Sequence, residues 1–180
     1  AIGHEAGTNA TTSDYSTFIG YEAGHGNDST ALTGDSNTCI GYRAGYALEG
    51  TAQNNLLVGV SSGLSLTTGT HNTIFGNFAG DAMTTTVGCV LIGRAAGGAI
   101  NSTDANYTTA VGYEALVDLT EGINNTAVGT NAGHNVTTSD YSTFIGYQAG
   151  KGNASTALTG NSNTTLGYRT GYVLEGDAQN

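Results

Sequence analysis

The chain has 180 residues, a net charge of −10 at pH 7 with only four Lys and Arg, 29 glycines and no proline. So few cations cannot neutralise a phosphate backbone, which excludes a nucleic-acid partner, and no apolar run reaches the roughly 20 residues of a membrane-spanning helix. Glycine without proline or a three-residue period excludes collagen, and apolar residues that recur in register exclude a disordered chain.

Along the chain, ten apolar–glycine pairs mark the elements: Ile2-Gly3, Ile19-Gly20, Ile40-Gly41, Val58-Gly59, Phe75-Gly76, Ile92-Gly93, Val111-Gly112, Val128-Gly129, Ile145-Gly146 and Leu166-Gly167. From glycine to glycine the spacings run 17, 21, 18, 17, 17, 19, 17, 17 and 21. Such periods predict an all-β, parallel β-solenoid (β-roll or β-helix) of about ten coils of 17–21 residues, one to each apolar–glycine pair, with no substantial helix. A second glycine follows four residues after nine of the ten, at a corner needing positive φ.

The residue before each glycine (Ile2, Ile19, Ile40, Val58, Phe75, Ile92, Val111, Val128, Ile145, Leu166) is apolar without exception and reads as the core ladder. The position before that (Phe18, Leu57, Ile74, Leu91, Phe144 and counterparts) is nearly as apolar. Adjacent strand residues point to opposite faces, so this second column reads as an interface covered by another wall or a neighbouring chain, which favours a homotrimer or a filament bundle. Thr17, Thr38, Thr73, Thr109, Thr126, Thr143 and Thr164 precede it, and Asn37, Asn55, Asn72, Asn125 and Asn163 form an amide column suited to hydrogen bonding from coil to coil. A weak second strand is expected through Leu66–Gly69 and Leu119–Gly122.

Residues 1–54 align without gaps on residues 127–180, identical at 40 of 54 positions, an offset of 126, or seven coils. Residues 1–180 therefore read as one solenoid segment, an excerpt of a longer array. Cys39 and Cys89 lie three coils apart, beyond disulfide reach, and are expected to be free core thiols.

No catalytic, cofactor or metal constellation is legible. His4, His25, His71 and His134 fall at unrelated coil positions, and four of the charges in the first copy, Glu5, Glu22, Asp28 and Asp35, are neutral in the second. Eight asparagines sit in Asn-x-Ser/Thr triplets and are candidate glycosylation positions: Asn9, Asn27, Asn101, Asn106, Asn124, Asn135, Asn153 and Asn163. A row of Tyr21, Tyr42, Tyr113, Tyr147 and Tyr168 could bind surface glycans or cover a strand edge.

The strings Thr17–Gly24, Thr143–Gly150 and Asn125–Gly129 resemble Gly-rich repeats of bacterial cell-surface and phage tail-fibre proteins, and are similar to the β-roll heads of trimeric autotransporter adhesins. The resemblance implies an extracellular, elongated, homotrimeric or filamentous object for reach, rigidity and attachment, with a receptor-binding tail-fibre shaft as the alternative. Ile19–Gly24 also fits the hexapeptide of left-handed β-helix acyltransferases, but Thr8–Ser13 breaks that period. Ice binding by the Thr row requires a flat exposed Thr face, which Leu56 and Val90 interrupt.

Overall fold

The computed structural model describes residues 1–101 and 103–177. Nine strands of three residues form one parallel sheet in sequence order: β1 (Thr17–Ile19), β2 (Thr38–Ile40), β3 (Leu56–Val58), β4 (Thr73–Phe75), β5 (Val90–Ile92), β6 (Thr109–Val111), β7 (Thr126–Val128), β8 (Thr143–Ile145) and β9 (Thr164–Leu166). The chain is thus an all-β parallel solenoid. Nine strands enclose eight turns, so the expectation of about ten coils is slightly high; Ile2 adds only an isolated bridge to Ile19. A single 3-10 turn, Thr103–Ala105, is the one helical segment among the described residues.

Each strand is short because a glycine ends it. The glycine after every strand keeps φ between 117° (Gly167) and 152° (Gly76), a region L side chains rarely enter. Each of these from Gly20 to Gly146 also presses on the next coil: a Cβ on Gly20 would collide with the Gly41 carbonyl oxygen, and one on Gly59 with that of Gly76. The repeating glycine sets rung-on-rung spacing, and register never slips from Thr17↔Thr38 through Ile145↔Leu166.

The structure exchanges the two apolar columns. The strand centre points inward: Phe18, Cys39, Leu57, Ile74, Leu91, Ala110, Ala127, Phe144 and Thr165 are all buried. The column expected as core ladder faces outward instead, with Ile2 68%, Phe75 54% and Leu166 70% exposed, Ile92, Val128 and Ile145 just over a third exposed, and Ile19, Ile40, Val58 and Val111 half-buried. The reason is parity. Asn37 and Cys39, two residues apart, share the inner face, which leaves Thr38 and Ile40 on the outer one. Phe18, Leu57, Ile74, Leu91 and Phe144, expected at an interface, are the true core.

A second inner column completes that core: Leu32, Leu48, Leu66, Met83, Ile100, Leu119, Val136 and Leu158 are buried against the strand centres. The second strand expected at Leu66–Gly69 and Leu119–Gly122 does not form. This wall is held by isolated bridges such as Leu32↔Gly50 and Thr70↔Val87, and by hydrogen bonds such as Thr67 N–H to Thr84 C=O at 2.8 Å.

At the entry to each strand the asparagines form a buried ladder, as their spacing predicts. Asn55 Nδ2 donates to Asn37 Oδ1 (3.0 Å) and to Gly69 C=O (2.9 Å). Asn72 Nδ2 repeats this on Asn55 Oδ1 (3.1 Å) and Thr86 C=O (2.9 Å). Cys89 and Thr108 interrupt the amides before Asn125, whose Oδ1 accepts from Ser142 N–H at 2.9 Å. Buried amides with both ends paired convert a costly group into a stabilising one.

Candidate functional site

Three surface features could carry function. The first is the outer face of the sheet, where the Thr row (Thr17, Thr38, Leu56, Thr73, Val90, Thr109, Thr126, Thr143, Thr164) runs beside the aliphatic row. Neither row contains a charged residue.

The second is the aromatic row on the corner after the strand glycine. Tyr21 and Tyr42 stack at 5.5 Å with planes 12° apart, Tyr147 and Tyr168 at 5.6 Å and 9°, and His4 heads the first stack at 5.0 Å from Tyr21. Tyr113 stands apart from both stacks, with Arg94 5.4 Å from its ring centroid and Arg94 Nη1 donating to its hydroxyl at 3.2 Å. Stacking along the axis consumes ring faces, so the row offers edges and hydroxyls to solvent. That geometry suits covering a strand edge better than holding a sugar ring.

The third is a pair of equivalent clefts made by the insertion in the two longest coils. One, of about 330 Å³, is lined by His25, Asn27, Asp28 and Tyr46; the other, of about 250 Å³, by Lys151, Asn153, Ala154 and Tyr172. The shapes recur but the chemistry does not. Around the first, Arg43 Nε donates to Glu22 Oε2 at 2.6 Å, and this guanidinium holds the Glu22 carboxyl below its usual range. Around the second, Gln148 replaces Glu22, and Arg169 and Lys151 both lie over Tyr172, at 4.0 and 5.6 Å from its centroid. A shared reaction would need shared groups, and these clefts have opposite charge.

Two histidines share a coil position that sequence inspection missed: His25 and His134 each fall five residues after a strand glycine. His25 stacks on Tyr46 at 5.0 Å with its Nε2 3.7 Å from Glu5. His134 lies 3.5 Å from both Glu114 and Asp118. The signal was available in the column alignment, but the intervening members (Tyr46, Leu64, Asp81, Gly98, Val117) hide it. Neither histidine has a nucleophile beside it, and among the described residues no group of three or more His, Cys, Asp or Glu is arranged to hold a metal ion. No helix among them is long and apolar enough to cross a membrane.

The candidate glycosylation positions divide by burial. Asn27, Asn101 and Asn124 are exposed or nearly so, and Asn9, Asn106 and Asn153 are half-buried. Asn9 Nδ2 donates to Asp28 Oδ1 at 3.1 Å and Asn153 Nδ2 to Glu175 Oε1 at 2.7 Å, while Asn106 Oδ1 accepts from Val87 N–H at 2.7 Å. Asn135 and Asn163 are a correction: both are buried, with Nδ2 committed to Gly152 C=O (3.1 Å) and Gly160 C=O (2.6 Å). A glycan on either is incompatible with this packing. Cys39 and Cys89 are free and buried.

The fold defines a β-solenoid repeat protein. No protein-family model, no curated protein and no solved structure matches the chain.

Proposed function

We propose that the chain is a structural and adhesive repeat of an extracellular fibre, in which a rigid solenoid gives reach and its uncharged sheet face gives attachment. The observation that carries this reading is the outward turn of the aliphatic column, an exposed apolar strip that runs the length of nine strands. A contiguous apolar patch of this kind is often a functional contact surface. Quasi-one-dimensional packing, coil on coil, supports length rather than an enclosed pocket. Asn27, Asn101 and Asn124 are the glycosylation positions that fit this reading.

A homotrimeric tail-fibre-like shaft is the second reading, favoured by the same column, which would then line a threefold axis. Electron micrographs and sedimentation of the purified chain separate the two. Extended particles with the sheet face free support the first, and a short trimer that buries Phe75 and Ile92 supports the second. A chain that neither extends nor assembles contradicts both. Acyl transfer stands far behind, since its histidine would need one repeated environment and the four here have four.

A further inference from the structure

The seven Thr of the outer face share one column of the sheet, at the first residue of a strand in each case, and their hydroxyls differ from those of the threonines that tie the second wall together. Thr33, Thr67, Thr84 and Thr120 donate to carbonyls of an adjacent coil, at 2.9, 3.0, 2.7 and 3.2 Å. Among the described residues, the hydroxyls of Thr109, Thr126, Thr143 and Thr164, on four successive rungs, have no protein partner, and neither have those of Thr17, Thr38 and Thr73. Each stands one strand residue away from a buried centre, opposite an outward Ile, Val, Leu or Phe. We propose that this face binds crystalline water, so that the attachment surface of the repeat is an ice-binding surface.

The geometry supplies a regular net. Rungs repeat about every 4.8 Å and the two outward residues of one strand stand about 6.7 Å apart. This net is of the same order as the oxygen repeats on the prism faces of ice. Methyl groups of Thr, Ile and Val order first-shell water around them without binding it, while the unpaired hydroxyls fix that water to the protein by hydrogen bonds. The parallel register is unbroken from β1 to β9, so the ligand meets a surface whose ordering cost is already met. A charged side chain would hold its own hydration shell and break the net, and the two rows contain none. Leu56 and Val90 remove two hydroxyls but keep the aliphatic surface, and the block from Thr109 to Thr164 is uninterrupted.

Other occupants fit less well. The strip from β1 to β9 covers roughly 400 Å², from about 38 Å of rungs and about 10 Å of strand. A stable protein pair buries about 800 Å² per partner, so a second copy gains too little from this face alone. A crystalline polysaccharide calls for exposed ring faces, and those of Tyr21 and Tyr42 are turned on each other.

This inference rests on the adhesive reading only in using the outer face, and it is tested on the isolated chain. The parent protein is expected to shape ice crystals, inhibit their recrystallisation and partition into a growing ice front. Thr126→Lys with Thr143→Lys is expected to abolish all three with the circular dichroism spectrum unchanged. Thr68→Lys, on an exposed turn away from the sheet, is expected to retain them. A parent that neither shapes nor enters ice overturns the proposal and leaves the fibre reading standing. A double-lysine variant as active as the parent overturns it too, as does sedimentation showing that the parent buries this face in an oligomer that the lysines dissociate. Activity in a chain that never forms extended particles would sink the fibre reading alone.

Discussion

Leu116 occupies the space that Ala110 leaves empty. In eight coils the residue four after the strand glycine is itself glycine, and a Cβ there would run into the core side chain six residues earlier or its neighbours: Gly24 into Phe18, Gly97 into Leu91, Gly150 into Phe144. The coil with Leu116 has Ala110 at that core position and Ala127 at the next, and Leu116, fully buried, reaches over toward Gly133. It accepts φ 49° to do so.

That exchange predicts a coupled pair. Leu116→Gly loses about 2–5 kcal/mol of packing and recovers about 1–3 kcal/mol of backbone strain, so the variant is expected to be the less stable by about 1–3 kcal/mol. Ala110→Leu alone overpacks at a cost of about 1–3 kcal/mol. Together they rebuild the usual coil and should return stability to within about 1 kcal/mol of the parent. A urea-unfolding double-mutant cycle reads the coupling.

Glycines should not be equivalent. Gly59→Ala places a methyl on the Gly76 carbonyl in a backbone region closed to L residues, and is expected to cost about 4 kcal/mol or more or to prevent folding. Gly50 has φ 53° and no neighbour nearer than 3.7 Å to the place a methyl would take. Gly50→Ala should therefore cost only about 1–2 kcal/mol. Thermal melts of the two variants test the difference.

The asparagine ladder predicts a gradient along the axis. Asn55→Ala strands the Gly69 carbonyl and the Asn72 N–H and takes one of two partners each from Asn37 Oδ1 and Asn72 Nδ2, at about 1–3 kcal/mol for each group left unsatisfied. Asn163 uses its Nδ2 but leaves Oδ1 unpaired, so Asn163→Ala should cost less than half as much. Chemical denaturation of both variants gives the comparison.

Burial pushes the Cys89 thiol up to about 11 and the Cys39 thiol higher still. Both should resist maleimide in the native state and react on unfolding. An unfolded thiol ionises near about pH 8.5, below the folded values, so the contribution of the thiols is complete below that pH. It is lost as pH rises through about 11. The double variant Cys39→Thr, Cys89→Ser, using residues that the repeat places there at Thr165 and Ser142, should lack that part of the alkaline loss. Stability curves of parent and variant between neutral and alkaline pH supply the test.

Coil length, parallel register, the amide ladder and the free thiols were legible because each is written as a column of one residue type or follows from the spacing of such columns. Which apolar column faces inward was not. The outer column is apolar in all ten sequence repeats, whereas the inner one varies from Phe18 to Ala110 to Thr165, since neighbours such as Leu116 absorb its changes in volume. Uniform hydrophobicity therefore marked the exposed row, and the variable column marked the core. The second wall misled for a different reason: its inward Leu66 and Leu119 resemble strand residues, but each follows a turn and leads into a bend, so no run of residues there pairs as a strand.

Single-cysteine labelling tests the inside–outside assignment most directly. In the Cys39→Thr, Cys89→Ser background, Leu57→Cys should be protected from maleimide and Val58→Cys should react readily, since Leu57 is buried and Val58 faces outward on the same strand. Protection of position 58 with ready reaction at position 57 in the monomeric chain would contradict the account.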